Sequence, residues 1–272
     1  DESGRVIETC TIGTDVTERR ELESERRERL DWVARIESAL REDRMLVYAQ
    51  PIVAIAGGHR VGAELLLRMR AAEDPATVLG PAAILPAAER YGLVQTIDAW
   101  MVRQALALAP SFAPSVNLSA VTLSDSAARQ EILDILRADR DSARSLVFEI
   151  TETATTESLD AASEFAGELT RLGCGLALDD FGTGYGSFTY LRRLPLRHLK
   201  IDRSFVLNIT ASEDDRRIVQ SVVSIAGQFG LRAIAEGVED SETLALLAQL
   251  GTHYAQGYHL GRPAPLSSML GA

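Results

Sequence analysis

The sequence predicts an α/β protein, a closed (β/α) barrel behind one long N-terminal helix. Three observations carry that prediction. From Val47 onward, short apolar runs alternate with amphipathic stretches, the pattern of strands separated by helices. About eight such strands emerge, and most end in a polar or charged residue, as strand ends at one barrel mouth do. The pair Gly57-Gly58 joins the first two strands as a hairpin, so those two run antiparallel. Strand length and spacing alone also allow an open, doubly wound sheet.

The elements follow in order. Val6 to Gly13 alternates loosely and reads as a terminal strand. Asp15 and Glu18 stand at capping-box spacing, and a charged helix is expected from about Val16 to Arg44. Its seam of Leu22, Val33, Ile36 and Leu40 is interrupted by Arg26 and Arg29, which suits a connector as well as a dimeric signalling helix. Val47–Val53 and Val61–Leu67 are the hairpin strands. Helices are expected over Pro81–Arg90 and Thr96–Leu108, then a strand at Ser115–Leu118. Ser124 is expected to cap a helix through Leu136, before a strand at Ser145–Ile150 and a helix at Ser158–Leu172. Gly175 opens the strand Leu176–Phe181, followed by a helix near Ser187–Leu194 and the strand His198–Ile201. The helices Ser212–Phe229 and Ser241–Leu250 end in Gly230 and Gly251, residues suited to a C-cap. Between them lies the strand Leu231–Ala235, and Tyr254–Gln256 is the last strand.

Composition narrows the function. The chain has 272 residues, 46% of them hydrophobic, and a formal charge of −11. Such a surface disfavours nucleic-acid binding through the phosphate backbone, so neither DNA nor RNA is an expected partner. No apolar run approaches the roughly eighteen residues of a membrane span. Cys10 and Cys174 stand far apart with no CxxC pair, which fits a reducing, cytoplasmic setting.

The chemistry sits at the strand ends. Strand two carries Glu64, strand three Asn117 and strand four Glu149, with Glu152 just beyond. Strand five ends in Asp179-Asp180, strand six carries Lys200, strand seven ends in Glu236 and strand eight carries Gln256. Singly, each has an ordinary reading as a rim ion pair or a turn residue. Together they form an oxygen-rich ligand set without His or Cys, which suits Mg²⁺ or Mn²⁺. Asp179 and Asp180 repel each other unless a cation lies between them. Neighbours on a strand point to opposite faces, so the chain must bend there, and Gly182 and Gly184 permit a bend.

The ordered blocks Gln50-Pro51-Ile52, Glu64-Leu65-Leu66, Asn117-Leu118-Ser119, Phe148-Glu149-Ile150-Thr151-Glu152, Asp179-Asp180-Phe181-Gly182-Thr183-Gly184-Tyr185, Leu199-Lys200-Ile201-Asp202 and Ala235-Glu236-Gly237-Val238-Glu239 carry a resemblance. With them, the chain from about Leu46 to Pro265 resembles an EAL domain, the cyclic di-GMP phosphodiesterase family. The resemblance implies a TIM-like barrel with its first strand reversed. It implies metal ligation by Glu64, Asn117, Glu149, Asp179, Asp180, Glu236 and Gln256, with Glu64 and Glu236 also in the catalytic group. Lys200 matches the lysine that assists the attacking water. Gln50 and Arg68 match substrate contacts, as do Asp202, Glu239 and Tyr258, while Glu152 matches the anchor of the loop from Phe181 to Ser187. The implied reaction is hydrolysis of cyclic di-GMP to linear pGpG with two divalent cations, Mg²⁺ or Mn²⁺, and with Ca²⁺ inhibitory. A homodimer and a covalently linked upstream sensory domain are implied partners. The strand before Thr14–Arg20 resembles the exit of a PAS domain, so residues 1–15 read as its tail, 16–44 as the connector and 45–272 as the barrel.

The chain departs from the family pattern at two places. Leu65 stands where the signature has alanine, but alternation turns it from Glu64 towards packing. Gly186 stands where serine is usual and loosens that loop. A family member that binds cyclic di-GMP without hydrolysing it, or serves as an interaction scaffold, is the competing reading, and degenerate members usually lack several ligands. A phosphodiesterase for another dinucleotide, or for pGpG, is a third.

Overall fold

In the computed structural model, which describes residues 17–109, 112–157, 159–182 and 189–270, Gly57 and Gly58 adopt φ of 95° and 66°. They turn the chain between Met45–Ala54 (β1) and Arg60–Arg70 (β2), which pair antiparallel with Gln50 opposite Glu64. Pro114–Asn117 (β3), Val147–Thr151 (β4), Gly175–Phe181 (β5), His198–Ile201 (β6), Arg232–Ala235 (β7) and Tyr254–Ala255 (β8) follow in spatial order, each parallel to the last. β8 then pairs antiparallel with β1 and closes the barrel. The open-sheet alternative is thereby excluded, and the reversed first strand is present.

Alternation sorts the side chains. Leu65, Val116, Phe148, Leu178 and Leu199 are buried in the hydrophobic core between the barrel wall and the helices. Their chain neighbours Glu64, Asn117, Glu149, Asp179 and Lys200 are the polar residues predicted for the mouth. Leu65 is 1% exposed, so the extra bulk at this position packs away from Glu64.

The helix Thr17–Arg41 (α1) ends before the predicted Arg44 because Asp43 turns left-handed, with φ 52°. Ile36 and Ala39 are buried against the barrel, and Trp32 and Leu40 pack on its core. Two of the seam residues therefore find their partner within the chain. The predicted strand Val6–Gly13 and the PAS-like tail lie outside the described residues. Helices Pro81–Arg90 (α2) and Val94–Leu108 (α3) cover the wall beside β2.

One cap differs from expectation. Asp125, not Ser124, caps the helix Ser126–Ala138, its Oδ1 accepting from the amides of Ala127 and Ala128 at 2.8 and 3.1 Å. Ser124 instead ends a short helix, Ala120–Ser124. That helix, Arg140–Ala143, Glu152–Glu157 and Arg203–Val206 were not predicted, because such lengths are too short for a helical period to show. Among the described residues, no helix is long and apolar enough to cross a membrane.

Candidate active site

Neighbouring strands set the frame. Register pairs Asn117 with Glu149 and Thr151 with Asp179, so the polar ends of β3, β4 and β5 lie side by side. Lys200 rises from β6 into their centre and is fully buried. Its Nζ lies 2.5 Å from Glu149, 2.6 Å from Glu236, 3.0 Å from Asp179 and 3.8 Å from Glu64. A buried ammonium is costly unless paired. Burial alone would release its proton, but Glu149, Glu236, Glu64 and Asp179 hold Lys200 well above the ordinary lysine range.

Glu64 belongs to a second set of contacts. Its Oε1 accepts from Asn117 Nδ2 at 2.7 Å and its Oε2 from Gln256 Nε2 at 2.6 Å. Gln256 Nε2 also donates to Gln50 Oε1 at 3.0 Å, and Gln50 Nε2 donates to the Gly261 carbonyl at 3.0 Å. Two amides, from Asn117 and Gln256, thus fix the Glu64 carboxylate, and Gln50 in turn holds Gln256. The turns after β7 and β8, which carry Glu236 and Gln256, meet backbone to backbone. A Cβ on Gly257 would stand 2.1 Å from the Val238 carbonyl oxygen, so only glycine allows that approach.

The bend at the two aspartates is made by Asp180 itself, with φ 56°, followed by Gly182 at φ 100°. Gly184 and Gly186 lie outside the described residues, as does the loop from 183 to 188. The bend brings ligand atoms of Asp179, Asp180 and Glu236 within 4.8 Å of one another, a group able to hold a cation. Burial first, then the charges of Asp179 and Asp202, push Asp180 up to about 6. Burial likewise raises Glu149 and Glu236 against the opposing charge of Lys200. The cluster is short of positive charge. Among the described residues, Glu149 Oε1 and Gln256 Oε1 are buried without a hydrogen-bond partner. Orphaned, inward-facing oxygens beside a carboxylate triad fit a hard divalent cation.

Glu152 is 4% exposed at the start of its short helix. It accepts a hydrogen bond from Gly182 N at 3.2 Å, tying β4 to the exit of β5.

Above these groups opens a cavity of about 290 Å³. Gln50, Glu64, Arg68, Glu236, Glu239, Gln256 and Tyr258 line it. The Arg68 guanidinium lies 5.1 Å from the Tyr48 ring centre, and Arg262 lies 4.3 Å from the ring of the exposed Tyr258. Asp202 does not line the cavity. It caps Arg203–Val206, accepting from the Ser204 amide at 3.0 Å and from the Ser204 hydroxyl. Its neighbour Arg203 does line the cavity, and sequence reading missed it. Its signal was position, directly behind the end of β6.

Comparison with known proteins agrees with this architecture. The sequence profile of the EAL domain matches residues 33–263. The cyclic di-GMP phosphodiesterase PdeB of Shewanella oneidensis is 37% identical over 87% of this chain and 28% of its own length. The cyclic di-GMP phosphodiesterase NbdA of Pseudomonas aeruginosa is 36% identical over 86% of this chain and 31% of its own. The chain thus spans about a third of the length of these curated relatives. Among solved structures, the PaMucR phosphodiesterase in complex with c-di-GMP superposes with a TM-score of 0.81 at 31% identity, covering 88% of this chain and 99% of that one. The FimX EAL domain of Pseudomonas aeruginosa bound to c-di-GMP gives 0.79 at 30% identity, covering 86% and 96%.

Proposed function

The chain belongs to the EAL domain family, and on that premise we propose that it hydrolyses cyclic di-GMP to linear pGpG. The observation that carries the proposal is the complete polar layer around Lys200, in which every position expected to bind metal holds an oxygen ligand. A receptor that only binds the dinucleotide has no need of so complete a set.

Glu64, Asn117, Glu149, Asp179, Asp180, Glu236 and Gln256 would hold two divalent cations, Mg²⁺ or Mn²⁺. When bound, they supply neutralisation of the phosphodiester charge and a more acidic water. The chain's own residues do the rest. Gln50, Arg68, Glu239 and Tyr258 hold the nucleotide over the mouth, with Arg203 as a further cation beside the phosphate. Lys200, at the centre of these carboxylates, orients or deprotonates the attacking water. The water oxygen bonds to phosphorus in line, the bond from phosphorus to the ribose 3′ oxygen breaks, and that oxygen leaves with a proton. Asp202 acts through Asp180, whose carboxyl it faces.

Regulation is part of the same reading. A homodimer in the cytoplasm, driven by an upstream sensory domain, would act through α1, which leads straight into β1. The Glu152 contact to Gly182 supports a loop whose position sets that of Asp180.

The test is product analysis with cyclic di-GMP and Mg²⁺, Mn²⁺ or Ca²⁺. Formation of pGpG with the first two, and inhibition by the third, is expected. Tight binding in EDTA with no turnover in any metal would replace the enzyme by a receptor.

A further inference from the structure

The opposite end of the barrel holds a second cavity, of about 370 Å³, within the ≈ 300–1,000 Å³ of ligand pockets. Its place in the fold is defined by the strands. Gly62, Ser115, Val147, His198, Ile234 and Tyr254 line it, and each stands two residues before Glu64, Asn117, Glu149, Lys200, Glu236 and Gln256 in turn. Ile52 on the reversed β1 stands two residues after Gln50. A step of two keeps a side chain on the same face of a strand, so this cavity is the next interior layer beneath the acidic one. Barrel layers are normally filled by Val, Ile and Leu. Here Gly62, Ser115, His198 and Tyr254 stand beside Ile52, Val147 and Ile234, and the layer is hollow.

The mouth of this hollow is cationic. Arg144 and Arg197 line it and are exposed, and neither they nor Arg232 forms an ion pair or side-chain hydrogen bond among the described residues. In a chain of charge −11, with 39 acidic residues against 28 basic, three unpaired arginines gathered at one face stand out. Two glycines seat the stems. A Cβ on Gly173 would come within 2.8 Å of Arg144 Cγ, and one on Gly175 within 3.2 Å of Arg197 Nη1. The Gly173-Cys174-Gly175 turn therefore lets both side chains lie close across it. Behind them, His198 Nδ1 is buried with no hydrogen-bond partner among the described residues, and its ring lies 5.9 Å from that of Tyr254.

We propose that this floor cavity binds an organic phosphate monoester, with the phosphate between Arg144 and Arg197 and the organic part inside, against His198 and Tyr254. Guanidinium groups pair phosphate oxygens through two parallel N–H donors. The Ser115 and Ser145 hydroxyls supply further polar groups on the lining. A bare ion would leave most of the hollow empty, since a water molecule takes only about 30 Å³.

The test titrates GMP, by calorimetry at low salt, into wild type, the double variant Arg144→Ala/Arg197→Ala, and Arg68→Ala. Both floor arginines are exposed and outside the core, and thermal melts check that the double variant stays folded. One GMP should bind to wild type and to Arg68→Ala, and affinity should fall at least about tenfold in the double variant. Guanosine, which lacks the phosphate, should bind at least about tenfold more weakly than GMP. Equal affinity in wild type and double variant, or no binding to wild type, overturns the proposal. Loss of binding in Arg68→Ala places GMP in the other cavity and also overturns it. Inorganic phosphate binding as tightly as GMP removes the role given to the hollow.

Discussion

Lys200 and His198 stand two residues apart on β6 and face opposite electrostatic worlds. Lys200 is ringed by carboxylates. At His198, burial first, then Arg197 and Arg232, push the imidazole down to about 4. The two layers are separated by roughly 7 Å, two residues of strand rise. One strand can therefore carry a cation into an acidic layer and a neutral imidazole into a basic one. The barrel does not average its charge; it sorts it by layer, and each layer can be altered by itself.

The largest effect should come from the upper layer. Glu64→Ala removes a carboxylate held by Asn117 and Gln256 and should abolish hydrolysis, whereas Arg197→Ala should leave turnover near wild type. Comparing initial rates at ordinary Mg²⁺ checks this, and full activity in Glu64→Ala would remove that residue from the site. Lys200→Ala should lower kcat by about 10²–10⁴ and leave nucleotide affinity nearly unchanged. Stopped-turnover binding measurements separate the two quantities; lost affinity at unchanged kcat would reverse the role assigned to it. In the metal-free protein the same change should cost about 3–5 kcal/mol by leaving buried carboxylates unpaired. Glu152→Ala should weaken metal binding by about tenfold or more, as loss of a supporting contact does. A metal titration followed by activity should record it, together with a lower rate in an intact barrel; unchanged activity would remove the loop from regulation.

The smallest effect belongs to the floor. The folded pKa of His198 lies below its ordinary value, so its contribution to stability is complete above about pH 6.5 and is lost as pH falls towards 4. His198→Gln should flatten that acid limb by up to about 3 kcal/mol. Melting curves between pH 6.5 and 4 measure it, and parallel limbs in the two proteins would mean that the imidazole is not held neutral.

Much of this was legible in the sequence because it is local or periodic. The Gly57-Gly58 turn fixed the reversed strand, and the polar residue at each strand end marked the upper layer. The left-handed conformation of Asp180 was not legible. Glycine is the usual residue there, and two glycines stood nearby to take the assignment. Asp202 read as a ligand-facing acid, yet its side chain closes a one-turn helix and leaves the cavity to Arg203. The floor layer left no sequence signal, because Ser115, His198 and Tyr254 become neighbours only once strand register is known.

The hydrogen bonds that fix Glu64 and Gln50 span very different lengths of chain. The hairpin pairing of Gln50 with Glu64 crosses a tight turn. The contacts of Gln256 with Glu64 and Gln50 bridge separations of 192 and 206 residues. Local hairpins form in about microseconds, whereas long-range pairing waits on loop-closure entropy. During folding, Glu64 would thus meet its hairpin neighbour Gln50 early and its amide partner Gln256 only when β8 docks on β1. A site arranged in this way is its own proofreading step: a barrel with an unclosed seam has no complete set of polar groups, and on the proposed function a nascent or misfolded chain would not act on cyclic di-GMP.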